Sequence, residues 1–534
     1  MKRGYRRTKR AADMDDGKAR LDEVLTRAND GEVPIRRRYG SGGSAALDQW
    51  ADRLAADPGP YRPRFMVYSG LGTPDMTARR LAILQELGAE SFLLAADLPA
   101  QLGFDPDHEL AHAQVGRAGV SCATLADFAE ICSRLDFGRV DSVGLLANSI
   151  GHIGLGMVHS VLTDAGAGHV RLVMQNDPLK EFTARGTEIF TPEQAVRIAC
   201  DCVAFAIDNR LPGAALTVCS NHLDVAGAGP VVATAMAFAN AQVYLDELVG
   251  RGYSVRDALT HMMFFLNERS DLYVSAALFR TARTVWAELV ERRYGLPVRE
   301  QPAMTLMGYA HGLESADEPL VNVPRITLSV LGSMLGGVDY LCASGYDEAL
   351  RIPSVDAAAL ALRTMQVVAY EHGAMASVDP LAGGHKLAHL DEYVAAGITA
   401  EMQRIDDHGG GLGALHDGYI SARIDELRGT RQRQLARGER AMVGANMLRS
   451  AHGPKLFGGN STGEIDFAQV EKTARDRLVA HRRDRDLRFV RSALDQVQAT
   501  AATTDNLVPP TVAALRAGAT GQEITEATGR GFAR

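Results

Sequence analysis

From Arg64 onward, short apolar runs alternate with longer amphipathic stretches, the pattern of repeated βα units. Apolar runs at 91–95, 119–122, 142–147, 170–175, 214–220, 260–264, 303–307 and 339–342 predict eight strands. Segments 192–207, 233–249, 272–293 and 324–335 predict helices between them. Two runs end abruptly in polar residues, Gln175-Asn176-Asp177 and Cys219-Ser220-Asn221-His222. A buried parallel strand looks like this when its C-terminal end opens into a polar site. The expected fold class is therefore α/β: a (β/α)8 TIM barrel with an N-terminal arm and a C-terminal helical extension. A doubly wound open sheet is the alternative, but eight units with polar strand ends favour closure.

The flanks differ in character. Residues 1–60 are rich in Arg and Gly with weak periodicity and read as an arm plus a short helix; 61–355 form the expected substrate-binding barrel. Beyond 355 the pattern changes to long helices at 357–370, 390–405 and 420–437, the helical region running to 534. The tail, 467–534, reads as a helical hairpin with Pro509-Pro510 at its turn. No repeat of fixed period appears.

Composition removes several function classes. With 534 residues, 46% hydrophobic and 23% charged, the chain can bury a large core. A net charge of -8 gives no support to nucleic-acid binding, and the basic stretch 2–10 with Arg36-Arg37-Arg38 reads as a solvated arm. Cysteines 122, 132, 200, 202, 219 and 342 form no CxxC pair and read as reduced core thiols, so no metal site is expected. No signal peptide and no long apolar run is seen, which predicts a soluble cytoplasmic protein without membrane contact. HExxH, GxSxG and Gly-rich dinucleotide motifs do not occur. Asp406-Asp407-His408-Gly409-Gly410-Gly411 satisfies DxHxxG, the pattern that supplies a cobalt-ligating His in cobalamin-binding domains. Here it ends a predicted helix, so a Gly-rich C-cap is the expectation.

About ten residues past the Gln-Asn-Asp strand end, Arg185 sits between small residues, in reach of a substrate carboxylate with bidentate geometry. Further stretches then join the strand ends: Tyr68-Ser69-Gly70-Leu71-Gly72-Thr73, Asp97-Leu98-Pro99, Leu179-Lys180-Glu181, Ala226-Gly227-Ala228, Tyr346-Asp347-Glu348-Ala349, Val378-Asp379-Pro380-Leu381-Ala382-Gly383, Val443-Gly444-Ala445-Asn446 and Asp505-Asn506-Leu507. In this order and spacing, from about Tyr68 to the C-terminus, the chain resembles the large, substrate-binding subunit of the adenosylcobalamin-dependent acyl-CoA mutases, the methylmalonyl-CoA mutase family.

The resemblance implies a barrel that caps a bound cobalamin and carries substrate along its axis. It implies an isomerase, an intramolecular transferase in which radical chemistry moves a group between adjacent carbons. His222 would donate to the thioester carbonyl, Gln175 would assist, Tyr68 would stand near the cobalt face, and Arg185 would bind the free carboxylate. Tyr68 with Arg185 favours a carboxylate-bearing substrate, as in methylmalonyl-CoA/succinyl-CoA isomerisation. Cobalamin contacts fall at Ala96, Ala118, Ala184, Glu348 and Arg351; Ala96 stands where methylmalonyl-CoA mutases have Phe. No C-terminal cobalamin domain is expected. The cobalt ligand is thus expected from a separate small cobalamin-binding subunit, in a homodimer or heterotetramer.

The sequence departs from the family along the coenzyme A path. The lead-in to Tyr68 that binds the nucleotide looks shortened, leaving Arg62 and Arg64 as its candidates. Small polar positions of the pantetheine channel appear as Leu93, Leu146, Val173 and Met263. His261 stands where an Arg that helps hold coenzyme A is expected, and Asn221 replaces a Tyr beside His222. Apolar groups there leave the pantetheine amides without partners. Two alternatives stay open: a mutase for a carrier-bound or free carboxylated substrate, and a non-catalytic paralogue partnering a cobalamin protein.

Overall fold

The computed structural model describes residues 43–56, 62–268, 271–311, 316, 318–373, 375, 377–448 and 465–533. The rest of the predicted arm lies outside them. Helix α1 (Ala45–Ala56) leads into nine parallel strands: β1 (Arg64–Ser69), β2 (Ser91–Ala95), β3 (Ser142–Leu146), β4 (Arg171–Val173), β5 (Gly213–Ala214), β6 (Leu216–Cys219), β7 (Met262–Glu268), β8 (Thr305–Ala310) and β9 (Tyr340–Ala343). The sheet order is β5-β4-β3-β2-β1-β9-β8-β7-β6. β5 pairs with β4 and β6 with β7, and only Ala215 separates them. They are two halves of one strand, so the sheet is an eight-membered, nearly closed barrel.

Eight helices surround it: α2 (Pro74–Glu86), α3 (Leu125–Cys132), α4 (Gly151–Asp164), α5 (Pro192–Asp208), α6 (Pro230–Gly250), α7 (Leu272–Tyr294), α8 (Asn322–Leu335) and α9 (Val355–Tyr370). Their starts follow from local chemistry. Thr124 with Asp127 and Thr191 with Gln194 form capping boxes that satisfy the first free N–H groups of α3 and α5. The strands are apolar on both faces because both are buried. Phe65, Val67, Phe92, Leu94, Val143 and Leu145 pack outward into the large core beneath the helices. Met66, Leu93, Val173, Met263 and Met307 form a separate cluster inside the barrel.

Two expectations need correction. Residues 119–122 are not a strand: Val120 only bridges Gly72 and Ala96 just past the ends of β1 and β2. The missing eighth strand is β1, whose Arg64 start masks its apolar character. The tail holds four helices, Phe467–Asp484, Leu487–Ala501, Val508–Ala517 and Gly521–Phe532, and Pro509-Pro510 open the third instead of making a turn. The first helical turn lacks N–H partners anyway, so proline costs nothing there. Among the described residues, no helix is long and apolar enough to cross a membrane.

Candidate active site

The polar strand ends meet at the C-terminal mouth of the barrel. Gln175 follows β4, its carbonyl accepting from Ala147 N–H at 2.9 Å. Its side chain is 1% exposed, and neither Nε2 nor Oε1 has a partner. Leaving a buried amide unpaired costs about 1–3 kcal/mol, a cost that a ligand's polar groups would offset. His222 lies in the short turn Asn221–Leu223 after β6, its Nδ1 buried and unpartnered. Burial first, then the charges of Lys180 and Arg185, hold its imidazole well below the ordinary value. His222 is therefore neutral near pH 7 and can donate from one ring nitrogen.

Arg185 ends the wide helical turn Glu181–Arg185. Its Nη1 donates to Oε1 of Gln101 at 3.0 Å and stands 3.6 Å from Oε2 of Glu181. Gln101 is anchored by its own Nε2 to the carbonyl of Ala96 at 2.7 Å. Buried Glu181 is paired with Lys180 and accepts from the Thr187 hydroxyl. Arg185 is thus steered by neighbours that are themselves fixed, and its charge acts on both Tyr68 and His222.

Tyr68 stands at the end of β1, two residues before Gly70. No other residue fits at 70, because a Cβ would meet the Ala95 carbonyl oxygen at 2.0 Å. The surrounding protein raises the Tyr68 phenol above its ordinary value, against the pull of Arg185, so it stays a neutral hydroxyl. Although 37% of the residue is reachable by solvent, it lines a cavity of about 220 Å³. Ala118, Arg80, Glu348, Arg351 and Met365 share that lining. Tyr309 donates to Oε1 of Glu348 at 2.8 Å and Gly345 N–H to Oε2 at 3.2 Å. Burial nevertheless pushes the Glu348 carboxyl up. Arg80 donates to the Pro353 carbonyl at 2.6 Å, and burial lowers its guanidinium to about 10.

Four expected residues, Tyr68, Ala118, Glu348 and Arg351, thus share one cavity. Ala96, 3% exposed, caps β2 outside its lining; Ala184 lies beside Arg185 in the wide turn. His261, Arg62 and Arg64 are at the opposite mouth. His261 Nδ1 pairs with the Gly213 carbonyl at 3.0 Å, Arg64 with Asp141 at 2.7 Å, and Arg62 with Glu90. By strand rise, Arg64 is about 13 Å below Tyr68. Gln101, Tyr309 and Arg80 were not among the expected residues; only the nearby Asp97-Leu98-Pro99 hinted at the first. His408 of the DxHxxG segment caps the helix His385–Asp407, pairs with Asp417 at 2.5 Å and stacks on Tyr419. Among the described residues, no cluster of three or more His, Cys, Asp or Glu is placed to hold a metal ion.

The sequence profile described as methylmalonyl-CoA mutase matches residues 62–534, all of the barrel and the helices after it. This chain belongs to the methylmalonyl-CoA mutase family. It is 28% identical over 468 residues to the 2-hydroxyisobutanoyl-CoA mutase large subunit of Aquincola tertiaricarbonis, a match covering 86% of this chain and 81% of that one. It is also 28% identical to methylmalonyl-CoA mutase of Escherichia coli (84% of this chain, 62% of the relative) and to ethylmalonyl-CoA mutase of Methylorubrum extorquens (83% and 66%). The chain therefore spans less than two thirds of these last two relatives. The named relatives of this methylmalonyl-CoA mutase family chain are acyl-CoA mutases, which are isomerases.

Proposed function

We propose that this chain is the substrate-binding barrel of an adenosylcobalamin-dependent carbon-skeleton mutase, acting on a carboxylate-bearing acyl group in the methylmalonyl/succinyl manner. One observation carries the reading: an unpartnered Gln175 amide, a neutral His222 and a steered Arg185 guanidinium share one barrel mouth with Tyr68. Arg185 would hold the carboxylate by charge-assisted hydrogen bonds. Neutral His222 would donate to the acyl carbonyl, and Gln175 would supply the second polar contact. Neither step needs a proton to change hands, which suits neutral His222 and neutral Tyr68.

The cavity beside Tyr68 supports a bound cofactor at this mouth. Small residues (Gly70, Ala95, Ala118, Ala343) leave the space, and Glu348, which already accepts from Tyr309 and Gly345, would accept a further hydrogen bond from a cofactor hydroxyl. Glu348, Arg351, Ala118, Ala96 and Ala184 would hold adenosylcobalamin, which when bound supplies reversible hydrogen-atom abstraction. Its cobalt ligand would come from a small cobalamin-binding subunit, since His408 is engaged by Asp417 and Tyr419. The Aquincola relative's name, a large subunit, supports a two-chain arrangement.

The test reconstitutes the chain with a cobalamin-binding subunit and adenosylcobalamin, then offers the methylmalonyl group as a coenzyme A thioester and as a short thioester. The succinyl skeleton should form from at least one. Absence of rearrangement with both, while the partner is loaded with cofactor, overturns the reading.

A further inference from the structure

Among the described residues, apolar side chains fill the barrel interior at mid-height. Met66, Leu93, Val173, Met263, Phe265 and Met307 come from β1, β2, β4, β7 and β8, and none is more than 3% exposed. They touch as one cluster across the interior. On β3 the inward position is Gly144, held so close to β4 that a Cβ there would lie 1.5 Å from the Val173 carbonyl oxygen. Three of the positions expected to line a channel, Leu93, Val173 and Met263, are thus members of a plug.

At the far mouth, charged and aromatic side chains pair with one another. The Tyr340 hydroxyl lies 3.3 Å from Oδ2 of Asp141, whose Oδ1 accepts from Arg64 at 2.7 Å, and the Arg64 guanidinium covers the Tyr340 ring at 5.3 Å. Arg64 and Arg62 there are committed to Asp141 and Glu90, while Arg171 at the start of β4 is exposed. Four hydroxyls, Ser69, Ser91, Ser142 and Thr217, are buried without partners on the barrel strands. Ser91 and Ser142 face each other across β2 and β3, two residues below Leu93 and Gly144 and so on the far side of the plug from Gln175 and His222.

We infer that the substrate of this chain is a compact carboxylated acyl group delivered from the C-terminal rim, with no pantetheine arm along the barrel axis. This rests on the mutase reading above and narrows its substrate class. A close-packed apolar interior admits a polar arm only by losing its own contacts and leaving the arm's amides unpaired. The polar contacts near the reacting end, Gln175, His222 and Arg185, all lie above the plug and suffice for a short acid.

Two measurements test this. First, the full chain is titrated calorimetrically with pantetheine, the arm without acyl group or nucleotide. No saturable binding is expected up to about 1 mM, whereas a Kd below about 0.1 mM overturns the inference. The Leu93→Ser/Met263→Ser double variant, checked for fold by circular dichroism, should bind pantetheine more tightly than the native chain; tight binding by both chains again overturns it. Second, the reconstituted enzyme is given the methylmalonyl group on coenzyme A and on N-acetylcysteamine. The two values of kcat/KM should agree within about threefold, and a preference for coenzyme A of about 100-fold or more contradicts a rim-delivered substrate. If neither thioester rearranges, the mutase reading fails, while the pantetheine titration still decides whether the axis is closed.

Discussion

Nη1 of Arg185 stands 3.0 Å from Oε1 of Gln101, a residue 84 positions earlier in the chain. The contact joins the end of the β2 loop to the wide turn after β4 and aims a permanent positive charge at the mouth of the barrel. Gln101 is a positioning residue in this arrangement, since its other amide atom is tied to the Ala96 carbonyl.

Arg185→Gln should lower kcat/KM for a carboxylated substrate by about 100-fold or more, the loss of a charge-assisted, bidentate contact. Gln101→Ala leaves the charge but frees its direction, so the expected effect is about tenfold and mainly in KM. Steady-state kinetics on both variants check this. An Arg185→Gln enzyme with unchanged turnover removes carboxylate recognition from Arg185.

His222 should act without titrating. Burial and two nearby cations hold its imidazole well below its ordinary value, so the donor form is complete throughout the neutral range. The pH profile of kcat should show no inflection near the ordinary histidine value of about 6.5. His222→Asn should cost about 100-fold in kcat, the usual size for one donor to a developing negative charge. A profile that loses its inflection only in His222→Asn contradicts the assignment.

His408 should be dispensable for cobalamin. Its ring is engaged by Asp417 at 2.5 Å and stacked on Tyr419 at 4.2 Å. His408→Ala should leave adenosylcobalamin affinity of the reconstituted enzyme unchanged and barely alter stability, since the pair is solvent-screened. A loss of cofactor binding makes His408 a ligand after all.

Stability should fall in mild acid through His152. This residue is fully buried, with Nε2 3.3 Å from the Thr528 hydroxyl, and burial, helped by the Arg197 charge, pushes it down to about 3. The folded state therefore favours neutral His152, and the unfolded state takes the proton first. The contribution is complete above the unfolded value of about 6.5 and is lost as pH falls toward the folded value, roughly 2 kcal/mol by pH 5. Urea midpoints at pH 7 and pH 5 check it: His152→Gln should flatten the difference, and an unchanged slope assigns the loss elsewhere.

The barrel was legible in the sequence because parallel strands buried on both faces are written as unbroken apolar runs, such as 170–174. β1 escaped because it begins at Arg64, whose charge is spent on Asp141, a partner only the folded chain brings near. The reverse error at 119–122 has the same root. Val120 is apolar because it is buried over Gly72 and Ala96, and burial alone does not make a strand. In the site, His222 and Gln175 stood out through their positions at strand ends, and Arg185 through its place between small residues ten positions on. Gln101 and Tyr309 did not, since each acts through a residue distant in sequence, Arg185 and Glu348. The altered channel positions were visible one by one. Only the fold shows that Leu93, Val173 and Met263 touch.

The most direct measurement of the central claim follows a carbon label. The chain, a loaded cobalamin-binding subunit and a ¹³C-labelled methylmalonyl N-acetylcysteamine thioester are mixed and read by NMR. Label should appear in a succinyl skeleton with the native chain and not with Arg185→Gln. A label that stays in the branched skeleton with the native chain, offered on either thioester, contradicts the account.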